Sequence, residues 1–234
     1  MYLSRVRVAT SGLDQSALTK LLQANAYGNH QLLWRLFPDE TERPFLFRQE
    51  LESESTLAEG QPRGLPLFYV LSRTEPVDVP GLLSCEIKPF QPRLHSGQHL
   101  AFRLRANPCV ARKDEGARNS RRHDVLMDAK KTEQQRGTRD REALHAAMDR
   151  AAVAWLSDEL RAERAGYRLV SEPQVEAYQQ HTYRNKGRRI RFSSVDYQGL
   201  LEVVDPERFQ ATLAEGIGHS RAFGCGMWLI RRAK

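Results

Sequence analysis

Three cysteines in 234 residues, Cys85, Cys109 and Cys225, are too few and too scattered for a disulfide framework, and no two form a zinc-type CxxC pair. His95 and His99 share an HxxxH spacing, but Gly97 lies between them and no third ligand is in view, so no metal is expected. No apolar run approaches the length of a membrane-crossing helix. The opening residues Met1 to Val8 alternate where a signal peptide would have an apolar core, so a cytoplasmic protein with no membrane partner is expected. A Walker lysine is missing as well. The glycines near the C-terminus follow a helix and precede a strand, the reverse of a dinucleotide fingerprint, and no cofactor is expected.

Charged residues make up 28% and hydrophobic residues 40%, which excludes a disordered chain and leaves room for one large or two small domains. The net charge of +7 is unevenly placed. Residues 1 to 100 hold 10 Lys+Arg against 11 Asp+Glu, and the remainder holds 26 against 18. The positive excess therefore belongs to the C-terminal part. Such asymmetry points to a polyanionic partner, because cations that displace condensed counterions gain affinity without reading sequence. A generally basic surface would give the same sum.

Tyr2 to Ala9 alternates as a strand. Leu13, Ala17, Leu18, Leu21 and Leu22 predict a helix to about Asn25, and Tyr27 to Phe37 a second one stopped by Pro38. Pro44 to Leu51, Leu65 to Ser72 and Leu82 to Phe90 read as strands, the middle one central because it is the most apolar. Pro89, Pro92, Ser96 and Gly97 mark a boundary, giving domains 1–92 and 97–234. His99 to Ala106 opens the second with another strand. Cys109 to Arg141 has many basic and few apolar residues and reads as a long mobile loop, either solvated or in contact with RNA. Arg139 to about Glu163 reads as one amphipathic helix, followed by strands at 167–170, 175–183 and 190–204. Asp205 and Pro206 start a short helix that Gly216 stops, before a last strand at 227–231. The first half thus reads as a small α+β sheet with helices on one face, and the second opens as another strand-first unit.

Three stretches carry candidate chemistry. Tyr27 and His30 lie three apart, on one helix face, and an imidazole beside a phenol suits proton transfer near neutral pH. Tyr183 to Phe192 has Asn-Lys-Gly turn chemistry and five cations, Arg184, Lys186, Arg188, Arg189 and Arg191, with no acidic residue. That ribbon suits a phosphate backbone, although an edge guarded by charge looks the same. Gly216, Gly218, Gly224 and Gly226 give four glycines in eleven residues around Arg221. A tight turn is the default for that loop, and Arg221 favours a phosphate.

Tyr2-Leu3-Ser4, then Tyr27, His30, Trp34 and Leu36-Phe37-Pro38, then Phe102-Arg103-Leu104-Arg105-Ala106-Asn107-Pro108, and finally Gly216-Ile217-Gly218 with Gly224-Cys225-Gly226 occur in this order. Together they resemble CasE, the CRISPR repeat-RNA endoribonuclease of the type I-E Cascade complex. The resemblance implies two tandem ferredoxin-like (RRM-like) domains. It implies metal-independent cutting of precursor CRISPR RNA at the 3′ base of the repeat stem-loop by the substrate's 2′-hydroxyl, leaving a 2′,3′-cyclic phosphate. The CRISPR repeat RNA and other Cascade subunits are then the partners. His30 carries over as the proton-transfer residue, Tyr27 as its orienting partner and Arg35 as a cation near the phosphorane. Arg184, Lys186, Arg188, Arg189 and Arg191 resemble an RNA-inserting hairpin, and Arg105, Lys113 and Arg221 join them as candidate RNA contacts. An RNP1 aromatic motif is missing, which favours a hairpin over ordinary single-strand binding. The other reading is a non-catalytic subunit that captures an RNA hairpin.

Overall fold

A computed structural model describes residues 1–9, 12, 14, 16, 19, 26–51, 65–113, 118–185 and 188–233, with the backbone alone at 51, 184, 185 and 188. The chain forms two compact units, Met1–Arg93 with Arg221–Met227, and Leu94–Ser220 with Trp228–Lys234. One division falls between Arg93 and Leu94, and Arg221–Met227, a piece of the glycine-rich loop, belongs with the first unit. Sequence alone keeps that whole loop in the second.

In the first unit, β1 (Tyr2–Val8), β2 (Phe45–Leu51), β3 (Pro66–Ser72) and β4 (Leu83–Pro89) form an antiparallel sheet in the order β2-β3-β1-β4. This is the ferredoxin-like order, in which the first strand lies between the third and the fourth. Alternation in β1 buries Ser4, Val6 and Val8 on one face, while Arg5 and Arg7 on the other reach Glu86 of β4. The helix Ala26–Trp34 supplies Leu33 to the core face; Leu36 and Phe37 of the turn after it join Phe45, Phe47, Phe68 and Val70. The helix closes through bonds three residues back, Leu36 N to Leu33 O at 3.1 Å and Phe37 N to Trp34 O at 3.0 Å, before Pro38. The expected helix ending near Asn25 lies largely outside the described residues.

In the second unit β5 (His99–Ala106), β8 (Tyr167–Leu169), β10 (Arg188–Val203) and β11 (Trp228–Arg232) give the order β11-β5-β10-β8, and β9 (Gln174–Asn185) pairs along the first part of β10. This is the same ferredoxin-like arrangement, again antiparallel. A register shift at Asp196/Tyr197 sits where the β9 pairing runs out towards β8. The helices Arg141–Leu156 and Pro206–Glu215 cover the sheet, with Tyr197 Oη donating to Ala152 O at 3.0 Å and Tyr167 Oη to Leu156 O at 2.8 Å.

Two expectations are corrected here. Cys109 to Arg141 is not a long loop: it contains β6 (Cys109–Arg112), β7 (Arg121–Asp124) and a helix, Val125–Gln135. Asp124 caps that helix, accepting from Leu126 N at 2.8 Å and Met127 N at 3.1 Å, and also accepts from Tyr178 Oη of β9 at 2.8 Å. The single helix expected over 139–163 is two, because Ser157 ends the first and Asp158 caps a second, Glu159–Ala165, by accepting from Arg161 N.

Gly166 ends that second helix at φ +79°, and a Cβ there would lie 2.5 Å from Asp205 O and 2.7 Å from Phe209 N. Gly166→Ala is expected to destabilise the protein by roughly 3 kcal/mol, from left-handed strain and backbone overlap. Urea unfolding measures it; a change within about 0.5 kcal/mol, the size of a neutral surface substitution, would show that the junction yields freely.

Candidate functional site

The Ala26–Trp34 helix places His30 half-buried against β2, its ring 5.8 Å from that of Phe45. Phe45 stacks on Phe37 at 5.1 Å and 14°, and Trp34 meets it edge-on at 5.9 Å, so the wall behind His30 is rigid and apolar. The helix cannot rotate freely, because the neighbouring Asn29 is buried and donates through Nδ2 to Gln49 Oε1 of β2 at 2.6 Å. One turn on, Trp34 Nε1 donates to His30 Nε2 at 3.2 Å. Tyr27, half-buried, occupies the preceding turn of the same helix.

Arg43 acts on this histidine, and Arg221 in turn acts on Arg43. Arg43, just before β2, is partly buried, and its Nη1 is buried with no hydrogen-bond partner. Arg221 begins the 3₁₀ turn Arg221–Phe223, which packs on both the His30 helix and β2. That close approach depends on Gly224, where a Cβ would come within 3.2 Å of the Phe47 ring and φ is +82°. Burial lowers the His30 pKa, and the positive charge of Arg43 lowers it further. Burial likewise lowers that of Arg43, with the charge of Arg221 adding to the effect. Two guanidinium groups in mutual repulsion, one of them acting on an imidazole whose protonation is disfavoured, suit an anion.

Arg35 does not join them. It lies past the end of the helix and is exposed, whereas Arg43, which sequence reading misses, is the cation whose charge acts on His30. Nothing in the local spacing points to Arg43, thirteen residues from His30, because β2 brings it there. Two of the thiols are disfavoured as thiolates: burial and Asp78 push Cys85 up to about 12, and burial and Asp124 push Cys109 up to about 11. Among the described residues no three His, Cys, Asp or Glu side chains gather as a metal ion would need.

In the second unit the β9–β10 ribbon has two faces. Arg189 and Arg191 are exposed on one. On the other, His181 stacks on Phe192 at 4.5 Å and 23°, with Tyr183 5.7 Å from Phe192. Of the other ribbon cations, Arg184 and Arg188 lie on the strands and Lys186 lies outside the described residues. Arg105 is engaged by its cross-strand neighbour Asp196 through two bonds, at 2.9 and 2.8 Å, and its charge is largely answered there. Lys113 is exposed. Gly216 and Gly218 adopt φ of +75°, with Gly218 against the Trp155 ring, and Gly226 has φ of +89°.

Among the described residues no helix is long and apolar enough to cross a membrane. Residues 1–232 match the family model described as CRISPR associated protein. The chain is 32% identical over 214 residues to the CRISPR-associated endoribonuclease Cse3 of Thermus thermophilus, covering 86% of this chain and 79% of the relative. It is 25% identical over 229 residues to the CRISPR system Cascade subunit CasE of Escherichia coli, covering 97% of each. A solved structure of the CRISPR endoribonuclease Cse3 bound to a 19 nt RNA superposes with a TM-score of 0.68 at 28% identity, over 99% of this chain and 100% of that one. The fold, the order of the motifs and these matches agree: the chain belongs to the CRISPR-associated protein family and is of the CasE type.

Proposed function

We propose that this protein is a metal-independent endoribonuclease that binds the CRISPR repeat stem-loop in the cytoplasm and cuts precursor CRISPR RNA at the 3′ base of the hairpin. It then stays bound, as a subunit of the interference complex. The observation that carries this reading is a half-buried His30 whose pKa burial and Arg43 lower, with Arg221 acting on Arg43 in turn. The matched relatives are named as an endoribonuclease and a Cascade subunit, and Cse3 has been solved with RNA, which supports the substrate class.

The chemistry follows from the groups present. His30, neutral at pH 7, takes the proton of the RNA's 2′-hydroxyl. The 2′-oxygen forms a bond to the adjacent phosphorus, the bond to the 5′-oxygen breaks, and that oxygen leaves as a hydroxyl by taking up a proton. Arg43 and Arg221 stabilise the charge that builds on the phosphoryl oxygens, and Tyr27 orients the 2′-hydroxyl. The exposed Arg189 and Arg191, with Arg184, Lys186 and Arg188 of the same ribbon and Lys113, hold the phosphate backbone of the stem. Arg105, engaged by Asp196, props the strand pair that presents them.

The test is single-turnover incubation of a stem-loop repeat RNA with the full chain in EDTA. Cutting at the hairpin base with a 2′,3′-cyclic phosphate end is expected. Abolition of cutting by chelation would count against the metal-free mechanism. Tight hairpin binding with no product after prolonged incubation would favour the capture subunit instead.

A further inference from the structure

We propose that Trp34 is a positioning residue that selects the tautomer of His30 and reserves its Nε2 as the proton-accepting nitrogen until the 2′-hydroxyl of the RNA takes the indole's place. The inference rests on the reading of His30 as the base. An indole nitrogen is a donor and never an acceptor. At 3.2 Å from Trp34 Nε1, His30 Nε2 must therefore present a lone pair, and the single proton of the neutral ring must sit on Nδ1. Imidazolium would set two N–H donors head to head. The same contact thus fixes the tautomer and opposes protonation.

The surroundings hold the pair in that relation. Trp34 and His30 are four residues apart on one helix, and both rings lean on Phe45, at 5.9 and 5.8 Å. The titratable and charged groups around His30 come from three elements: Tyr27 on its own helix, Arg43 ahead of β2, and Arg221 on the 3₁₀ turn packed against the helix. Arg43 disfavours the imidazolium by charge, and Trp34 disfavours it by a hydrogen bond; the two effects add in direction and are separable by mutation. A 2′-hydroxyl is also a donor. Its O–H can replace the indole N–H at Nε2 with no tautomer change, so the base is already in the required form when RNA arrives.

The test uses the full chain labelled with ¹⁵N at histidine, with the His30 signal assigned by its loss in His30→Ala. Wild type is expected to show His30 with the proton on Nδ1. Trp34→Phe keeps a ring in the aromatic wall and removes only the donor. In it the Nε2-protonated tautomer should appear and the His30 midpoint should rise by roughly one pH unit, about the worth of one neutral hydrogen bond. The acid limb of the single-turnover cleavage rate should move up with it, while hairpin affinity stays the same. Trp34→Gln restores an N–H donor but discards the ring, and should return the midpoint towards wild type; a role in packing alone predicts the opposite order. Unmoved tautomer and midpoint in Trp34→Phe, with His30→Ala inactive, would overturn the inference about Trp34 alone. Retained cutting by His30→Ala would instead overturn the catalytic reading beneath it.

Discussion

His30→Ala is expected to lower single-turnover cleavage of the repeat hairpin by roughly 10²–10⁴-fold, the contribution of a positioned proton-transfer group, while hairpin binding stays within about twofold. The separation follows from where the charges lie. On the proposed reading, binding draws on exposed cations of the β9–β10 ribbon, Arg189 and Arg191 among them, whereas His30 is a ring of lowered pKa on the helix of the other unit. Removing it takes away no phosphate contact that depends on charge. In the wild type, the acid limb of the pH–rate profile should lie below the ordinary histidine range, since burial and Arg43 both disfavour the imidazolium. Stability has the same sign. As pH falls below the ordinary histidine value, the unfolded chain takes up a proton that folded His30 refuses, and the folded state loses ground until His30 itself titrates. Cleavage by His30→Ala at the wild-type rate would remove His30 from the reaction.

The strands were legible because their burial follows simple alternation or continuous apolar runs: β1 buries every second residue and β3 buries all but Tyr69. The His30 helix was legible from Leu33, Leu36 and the Pro38 stop. The Val125–Gln135 helix was not, because it buries Leu126 alone and carries Lys, Gln and Glu on its remaining faces. Its signal lay in the cap, Asp124 followed by Asp128 in the first turn, which hydrophobic periodicity does not register. The break at Ser157 was hidden for a related reason: the apolar pattern continues across it, while Asp158 restarts the helix by capping. Within the candidate site, sequence spacing finds only neighbours on one helix. It brings out Tyr27 and His30, and it picks Arg35, which lies exposed past the helix end. Arg43 acts on His30 from just ahead of β2, and Arg221 comes to the same helix on a turn returning from far along the chain.

Arg43→Ala is expected to be the most damaging change outside His30 itself, lowering cleavage roughly 10²–10³-fold, the cost of removing one preorganised donor to a developing oxyanion. A guanidinium whose Nη1 is buried without a partner is kept at a desolvation cost, and a phosphate oxygen is the kind of acceptor that would offset it. The loss should fall on the rate constant and spare hairpin affinity, because the stem is held elsewhere. A second signature separates this from general damage to the fold. Arg43 is one of the two causes that hold the His30 pKa down, so removing its charge must move the acid limb of the rate profile upward, even as the plateau falls. Arg43→Lys retains the charge and loses the planar fork. It should leave the limb near its wild-type position while recovering only part of the plateau, since a single ammonium point cannot replace two-pronged contact with a phosphoryl group. A lowered plateau with an unmoved limb in Arg43→Ala would place the arginine away from His30, in the packing around β2. A rescue by lysine to full rate would mean that charge alone is what the site requires.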